Sequence, residues 1–117
     1  MFDLSQLNNE INMMKSETLS RYGKKVDIIC TLIEKEKRFL YRNEKILFKI
    51  EKKIPTLRRI KKKIYNRVLE NVQNKTAKSK IKIEKMLKLK EKYINEYKAQ
   101  REALGILDHT FIDEFYD

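Results

Sequence analysis

The residues best suited to chemistry crowd into the last ten positions of the 117-residue chain. Asp108 and His109 are neighbours, and a carboxylate beside an imidazole can orient it for proton transfer. Asp108, Asp113, Glu114 and Asp117 bring four carboxylates within ten residues, enough in number for a divalent cation. Their spacing does not reproduce a loop of alternating oxygen ligands, so no metal site is expected. Beyond these the inventory is thin: one His, one Cys, two Gly and one Pro. A catalytic site needs a pocket with convergent polar groups. Neither a glycine loop to cradle phosphate nor a Cys/His spacing for zinc occurs. No catalytic residue and no cofactor is therefore expected. His109 reads as an exposed loop histidine, and Cys30, beside Ile28 and Ile29, as a small buried hydrophobe.

Charge is the stronger signal. The formal net charge is +11, with 28 basic and 17 acidic side chains. Residues 1–34 carry four basic and five acidic groups, residues 35–98 carry 23 and seven, and residues 99–117 carry one and five. A cationic field concentrated in this way favours a polyanion: nucleic acid, or an acidic protein or membrane surface. Lys outnumbers Arg 21 to 7. Bidentate reading of guanine is thus not the first expectation, and contact through phosphates, tolerant of sequence and sensitive to salt, is. No helix–turn–helix, zinc finger or aromatic RNA-binding motif appears.

The elements that must position these groups are helices. Few Gly and Pro, 38% charged residues and no sustained alternation of polar and apolar residues predict an all-α fold. Leu4, Leu7, Ile11 and Met14 form a narrow stripe suited to a partner helix, which Asp3 can cap and Gly23 can end. A helix running on through Gly23 is the alternative. From about residue 24 to 53, Leu32/Ile33, Phe39/Leu40, Ile46/Leu47 and Lys53/Ile54 recur every seven residues, with Val26, Ile29 and Ile50 extending the line. Glu36 and Asn43 interrupt it, as polar residues that set register do.

Pro55 lacks an N–H and suits the first turn of a new helix, whether the chain bends or reverses there. Leu57, Ile60, Ile64, Val68 and Val72 share one face of that third helix, and Arg59, Lys62, Lys63 and Arg67 point broadly the other way. The polar stretch NVQNKTAKSK reads as a loop, with Thr76 or Ser79 capping a fourth helix. Ile83, Met86, Leu87, Tyr93, Ile94 and Tyr97 line that helix, and Lys85, Lys88 and Lys92 stack opposite. Lys90 falls in the apolar line, where its stem can snorkel. Gly105 is a stop signal, and a last helix can start at Thr110 with Asp113 as a capping box.

The expected object is an elongated antiparallel helical bundle or coiled-coil hairpin with a short C-terminal helix. It is read as one domain, with helices over about 3–21, 24–53, 55–73, 79–104 and 111–116. Segments of 20–30 residues would span roughly 30–45 Å. If the third and fourth helices are antiparallel, their cations form one positive surface about 30 Å long. Phosphate contacts are assigned to Arg58, Arg59, Lys62, Lys63, Arg67, Lys85, Lys88 and Lys92. A rival reading is a coiled-coil adaptor or assembly subunit. It would recruit a protein or a second copy through Leu4, Leu7, Ile11 and Met14, and through the acidic-aromatic C-terminus (Phe111, Ile112, Phe115 and Tyr116). The C-terminal segment is expected to fold back on the basic helices, because its apolar face is otherwise exposed. The start, MFDLSQL, lacks the basic and apolar segments of a secretory signal, and no stretch approaches a membrane span. A soluble, intracellular chain is expected.

Overall fold

A computed structural model describes residues 4–116. The cap assigned to Asp3 and the carboxylate of Asp117 lie outside the described residues. The fold is all-α: α1 spans Leu4–Lys53, a single 3-10 turn spans Ile54–Thr56, α2 spans Arg59–Ala103 and α3 spans Thr110–Tyr116. No helix among the described residues is long and apolar enough to cross a membrane.

Two of the expected interruptions are helix. α1 continues through Gly23, where a side-chain Cβ would lie 3.7 Å from the ring of Tyr97. Gly23 is a packing position rather than a stop. α2 continues through Asn71–Lys80, so the third and fourth helices are one. The polar residues of this stretch belong to the packed face: Val72, Thr76 and Ser79 are all buried, at four- and three-residue spacing. Thr76 donates its hydroxyl to the Val72 carbonyl at 2.9 Å, one turn back, and so needs no other partner. With neither Gly nor Pro in the stretch, nothing local breaks the helix.

Contacts divide the chain into two units, Thr31–Leu87 and a second formed by residues 1–30 with 88–117. In the first, the hairpin unit, the chain reverses at Pro55. Pro55 lies in the 3-10 turn rather than opening a helix. Thr56 donates to the Lys53 carbonyl at 2.7 Å and satisfies one of the free acceptors at the end of α1. Helix resumes only at Arg59.

The two halves then pair along Ile33, Ile50, Val72, Ile83 and Met86, all buried. Only one member of each heptad pair faces inward: Ile33 is 3% exposed, whereas Leu32, Phe39 and Ile46 are 39–46% exposed. The seam is thus narrower than the composition suggested. Ile60, Ile64 and Val68, expected to pack, stay exposed, at 79%, 56% and 42%. The inward line of α2 instead passes through Tyr65 and Leu69, both half-buried, to Val72.

The terminal unit is built on Val26, Ile29 and Ile112, each at most 5% exposed. α2 ends at a glycine C-cap. Gly105 has φ +86°, its N–H bonds the Glu102 carbonyl at 2.9 Å, and the Ile106 N–H reaches Arg101 at 2.8 Å. α3 folds back on this unit, and Tyr116 donates to Asp27 at 2.7 Å. α3 starts at Thr110, as expected, but a different side chain caps it. Asp108 accepts from the Thr110 N–H at 3.0 Å and from its hydroxyl at 2.6 Å. Asp108 is therefore the capping side chain, and Asp113 pairs with Lys98 instead of closing a capping box.

Candidate nucleic-acid interface

The cations assigned to phosphate fall into separate places. Arg58, Arg59, Lys62, Lys63 and Arg67 cluster where the hairpin unit turns into α2. Lys62 is half-buried and the other four are exposed. Lys85 lies 18 residues beyond Arg67 on the same helix, about 27 Å along its axis. Lys88 and Lys92 belong to the terminal unit, both exposed, with Lys92 reaching Glu96 at 4.0 Å. Both sets of cations belong to one helix, α2, not to two antiparallel helices as the expected side-by-side surface required.

The turn carries more charge than was assigned to it. Between Glu51 and Glu70 stand Lys52, Lys53, Arg58, Arg59, Lys61, Lys62, Lys63 and Arg67, eight cations without a carboxylate. Among the described residues none of the eight is ion-paired. Lys52 and Lys53 end α1, where the helix dipole favours positive charge. Arg59, Lys61 and Lys62 open α2, which has no acidic residue in its first turn. There the dipole is already positive and the amide N–H groups lack intrahelical acceptors. An anion placed at that end would meet both.

Two carboxylates of the hairpin unit are drawn towards α2 further along it. Glu36 accepts from Ser79 at 2.8 Å and meets Lys82 at 3.4 Å, and Glu44 meets Lys80 at 4.0 Å. On the remaining surface of α1, lysines lie over aromatic rings. Lys45 Nζ is 4.4 Å from the Tyr41 centroid and Lys52 Nζ 4.2 Å from that of Phe48. Lys53 stands 5.9 Å from Tyr65. These aromatic–lysine pairs escaped the reading of the sequence, although a ring followed by Lys four residues later, and repeated after seven, is a visible pattern.

The residues assigned to partner binding divide as well. Leu4, Ile11 and Met14 are exposed, at 67%, 40% and 66%, and Leu7 is half-buried. In α3 the apolar residues form two faces, since i and i+1 stand about 100° apart. Ile112 is fully buried and Tyr116 half-buried, which takes Ile112 out of any docking surface. Phe111 and Phe115 point out and stack at 5.8 Å. Burial, then the bond to Asp27, pushes the Tyr116 phenol well above its ordinary range.

His109 lies in the loop before α3, as expected, but is half-buried rather than exposed, and no hydrogen bond joins it to Asp108. Its Nε2 lies 2.9 Å from Glu102, with its side chain 14% exposed. Cys30 is half-buried. Among the described residues no three His, Cys, Asp or Glu side chains converge on a point that could hold a metal ion. Comparison with known proteins found no matching family model, no matching curated protein and no matching solved structure.

Proposed function

We propose that this chain is a non-enzymatic basic helical protein, acting inside the cell, that contacts nucleic acid or a nucleoprotein particle mainly through phosphates. The observation that carries this reading is the run of eight cations from Lys52 to Arg67 at the turn of the hairpin unit, none ion-paired among the described residues. Arg58, Arg59, Lys62, Lys63 and Arg67 are the primary contacts, with Lys85, Lys88 and Lys92 as separate secondary ones. Neutralising phosphates releases counterions, so affinity falls steeply and linearly on a log–log plot against salt. Titration of a labelled duplex and a labelled single strand over a salt series tests this. Absence of binding to either at low salt overturns it.

A second reading is favoured by one observation: Leu4, Ile11 and Met14 are exposed in the isolated chain. Tyr97 packs at Gly23, and only six residues of α2 remain beyond it. An antiparallel α2 therefore ends near residue 17 of α1, short of the exposed Leu4, Ile11 and Met14. Together with the seven-residue seam, this suits a coiled-coil adaptor or assembly subunit. A pull-down with and without nuclease separates the two readings. Loss of all partners after nuclease favours phosphate contact, and retention of one defined protein favours the adaptor.

A further inference from the structure

We propose that Tyr41 and Phe48, with Lys45 and Lys52, form a stacking face for unpaired bases, so that the preferred nucleic acid is single-stranded. This rests on the phosphate-contact reading above and adds the class of ligand. At 100° per residue the four side chains fall within about 60° of one line along α1. The rings are seven residues apart, about 10.5 Å along the helix. Tyr41 and Phe48 are each 58% exposed. Each carries an ammonium over one side of its ring, at 4.4 and 4.2 Å from the centroid.

The surroundings of this face are mostly cationic, with exposed Glu34, one heptad before Tyr41, the acidic residue on its line. Glu36 and Glu44 are engaged by Ser79, Lys82 and Lys80 of α2. Glu51 stands about 90° round the helix from the line. Next to Tyr41 lies an open groove lined by Lys35, Glu36, Arg38, Phe39, Tyr41 and Arg42. At the other end, Lys52 begins the eight-cation run.

A duplex offers this face little beyond phosphates, because its base faces are already stacked on one another. An unpaired strand offers both halves of what is present: a base face for each ring and a phosphate for each ammonium. Stacking of this kind is tolerant of sequence, since every base has a π-face. The cations held over the two rings are lysines, not the arginine forks that read base edges.

The test is fluorescence anisotropy with the full chain and one labelled oligonucleotide, presented single-stranded and as its duplex at the same ionic strength. Vesicles containing phosphatidylserine form a third arm. The single strand is expected to bind at least ~10-fold more tightly than the duplex. The double variant Tyr41→Ala, Phe48→Ala is expected to lose ~10-fold or more on the single strand and to change by less than about twofold on the duplex. Tyr41→Phe with Phe48→Tyr keeps the rings and is expected to keep the preference. Circular dichroism confirms that the exposed substitutions leave the helix intact. Equal wild-type affinity for the two forms overturns the stacking face and leaves phosphate contact standing, as does an equal loss on both forms in the double variant. No binding of either form at low salt, with or without vesicle binding, removes the phosphate reading and this inference together.

Discussion

Ser79 and Glu36 are 43 residues apart in the chain and 2.8 Å apart in the hairpin unit, joined by a hydroxyl that donates to a carboxylate. Both occupy the buried line of their helices, so the polar interruption in α1 is matched by a polar residue in α2. Sliding α2 by one turn so that Ile83 takes the place of Ser79 would set Glu36 against an apolar side chain and leave its charge without that donor. A hydrogen bond to a charged group contributes about 1.5–3 kcal/mol when its partner is otherwise desolvated. Glu36 keeps Lys82 at 3.4 Å, which moderates the loss. Ser79→Ala is expected to lower the unfolding free energy by about 1–2 kcal/mol in urea. Ser79→Ala combined with Glu36→Leu is expected to recover most of it, because an apolar pair leaves nothing unsatisfied. A double variant weaker than Ser79→Ala would show that the polar pair adds stability beyond its cost of burial.

Asn43 presents the opposite situation in the same seam. It is 8% exposed, and its Nδ2 has no hydrogen-bond partner among the described residues. A buried donor left unpaired costs about 1–3 kcal/mol. Asn43→Leu is therefore expected to raise the urea midpoint. It also removes a residue that penalises alternative registers. Sedimentation of Asn43→Leu should accordingly show more self-association than the wild type. A lower midpoint would mean that Asn43 has a compensating contact.

The seam shows which parts of the fold were legible in the sequence. The seven-residue recurrence of Ile33, Leu40 and Leu47 and the polar breaks at Glu36 and Asn43 were visible because both helix faces obey one period. The stretch from Asn71 to Lys80 was not legible. Its burial depends on Thr76 and Ser79, residues that propensity assigns to caps and loops, and only a partner 43 residues away reveals why they turn inward. The basic turn was legible as charge. Its geometry was not, because merging two helices into one moved Lys85 about 27 Å from Arg67 instead of beside it. Tyr41 and Phe48 lie off the packed line, so the apolar period does not single them out.

Gly23 offers a direct test of packing against propensity. Its Cβ would meet the Tyr97 ring at 3.7 Å, ordinary van der Waals distance. Ala is favoured over Gly in a helix interior by about 1 kcal/mol. Gly23→Ala is therefore expected to stabilise the terminal unit by up to about 1 kcal/mol in thermal or urea unfolding. A destabilised variant would show that the Tyr97 ring lies closer to α1 than described.

The docking of α3 is bounded by two titrations of opposite sign. The Tyr116 phenol is held above its ordinary value of 10.0 by burial and by its bond to Asp27. Its contribution is complete below pH 10 and is lost as pH rises beyond that, because the unfolded chain releases the proton first. Asp108 is held below its ordinary 3.8 by the hydroxyl and the N–H of Thr110. Its contribution is complete above that value and is lost as pH falls through the lowered one. The melting-temperature difference between wild type and Tyr116→Phe should be steady at neutral pH and shrink above about pH 10. The difference between wild type and Asp108→Asn should shrink only in acid, below about pH 4. Differences that do not vary with pH would dissociate these bonds from the stability of α3.

The basic turn should trade stability against binding, with opposite signs at its two ends. Arg58 and Arg59 stand at the start of α2, where the dipole disfavours positive charge. Arg58→Gln and Arg59→Gln are each expected to raise stability by about 0.3–1 kcal/mol. As phosphate contacts they should also each reduce the salt slope of nucleic-acid binding by about one. Lys53, at the end of α1, is favoured by its dipole, so Lys53→Gln should lower both stability and affinity. A merely solvated surface predicts the stability changes without the slope changes. Salt titrations of the three variants, set beside their urea midpoints, therefore separate a phosphate-binding turn from a run of lysines and arginines that only keeps the protein in solution.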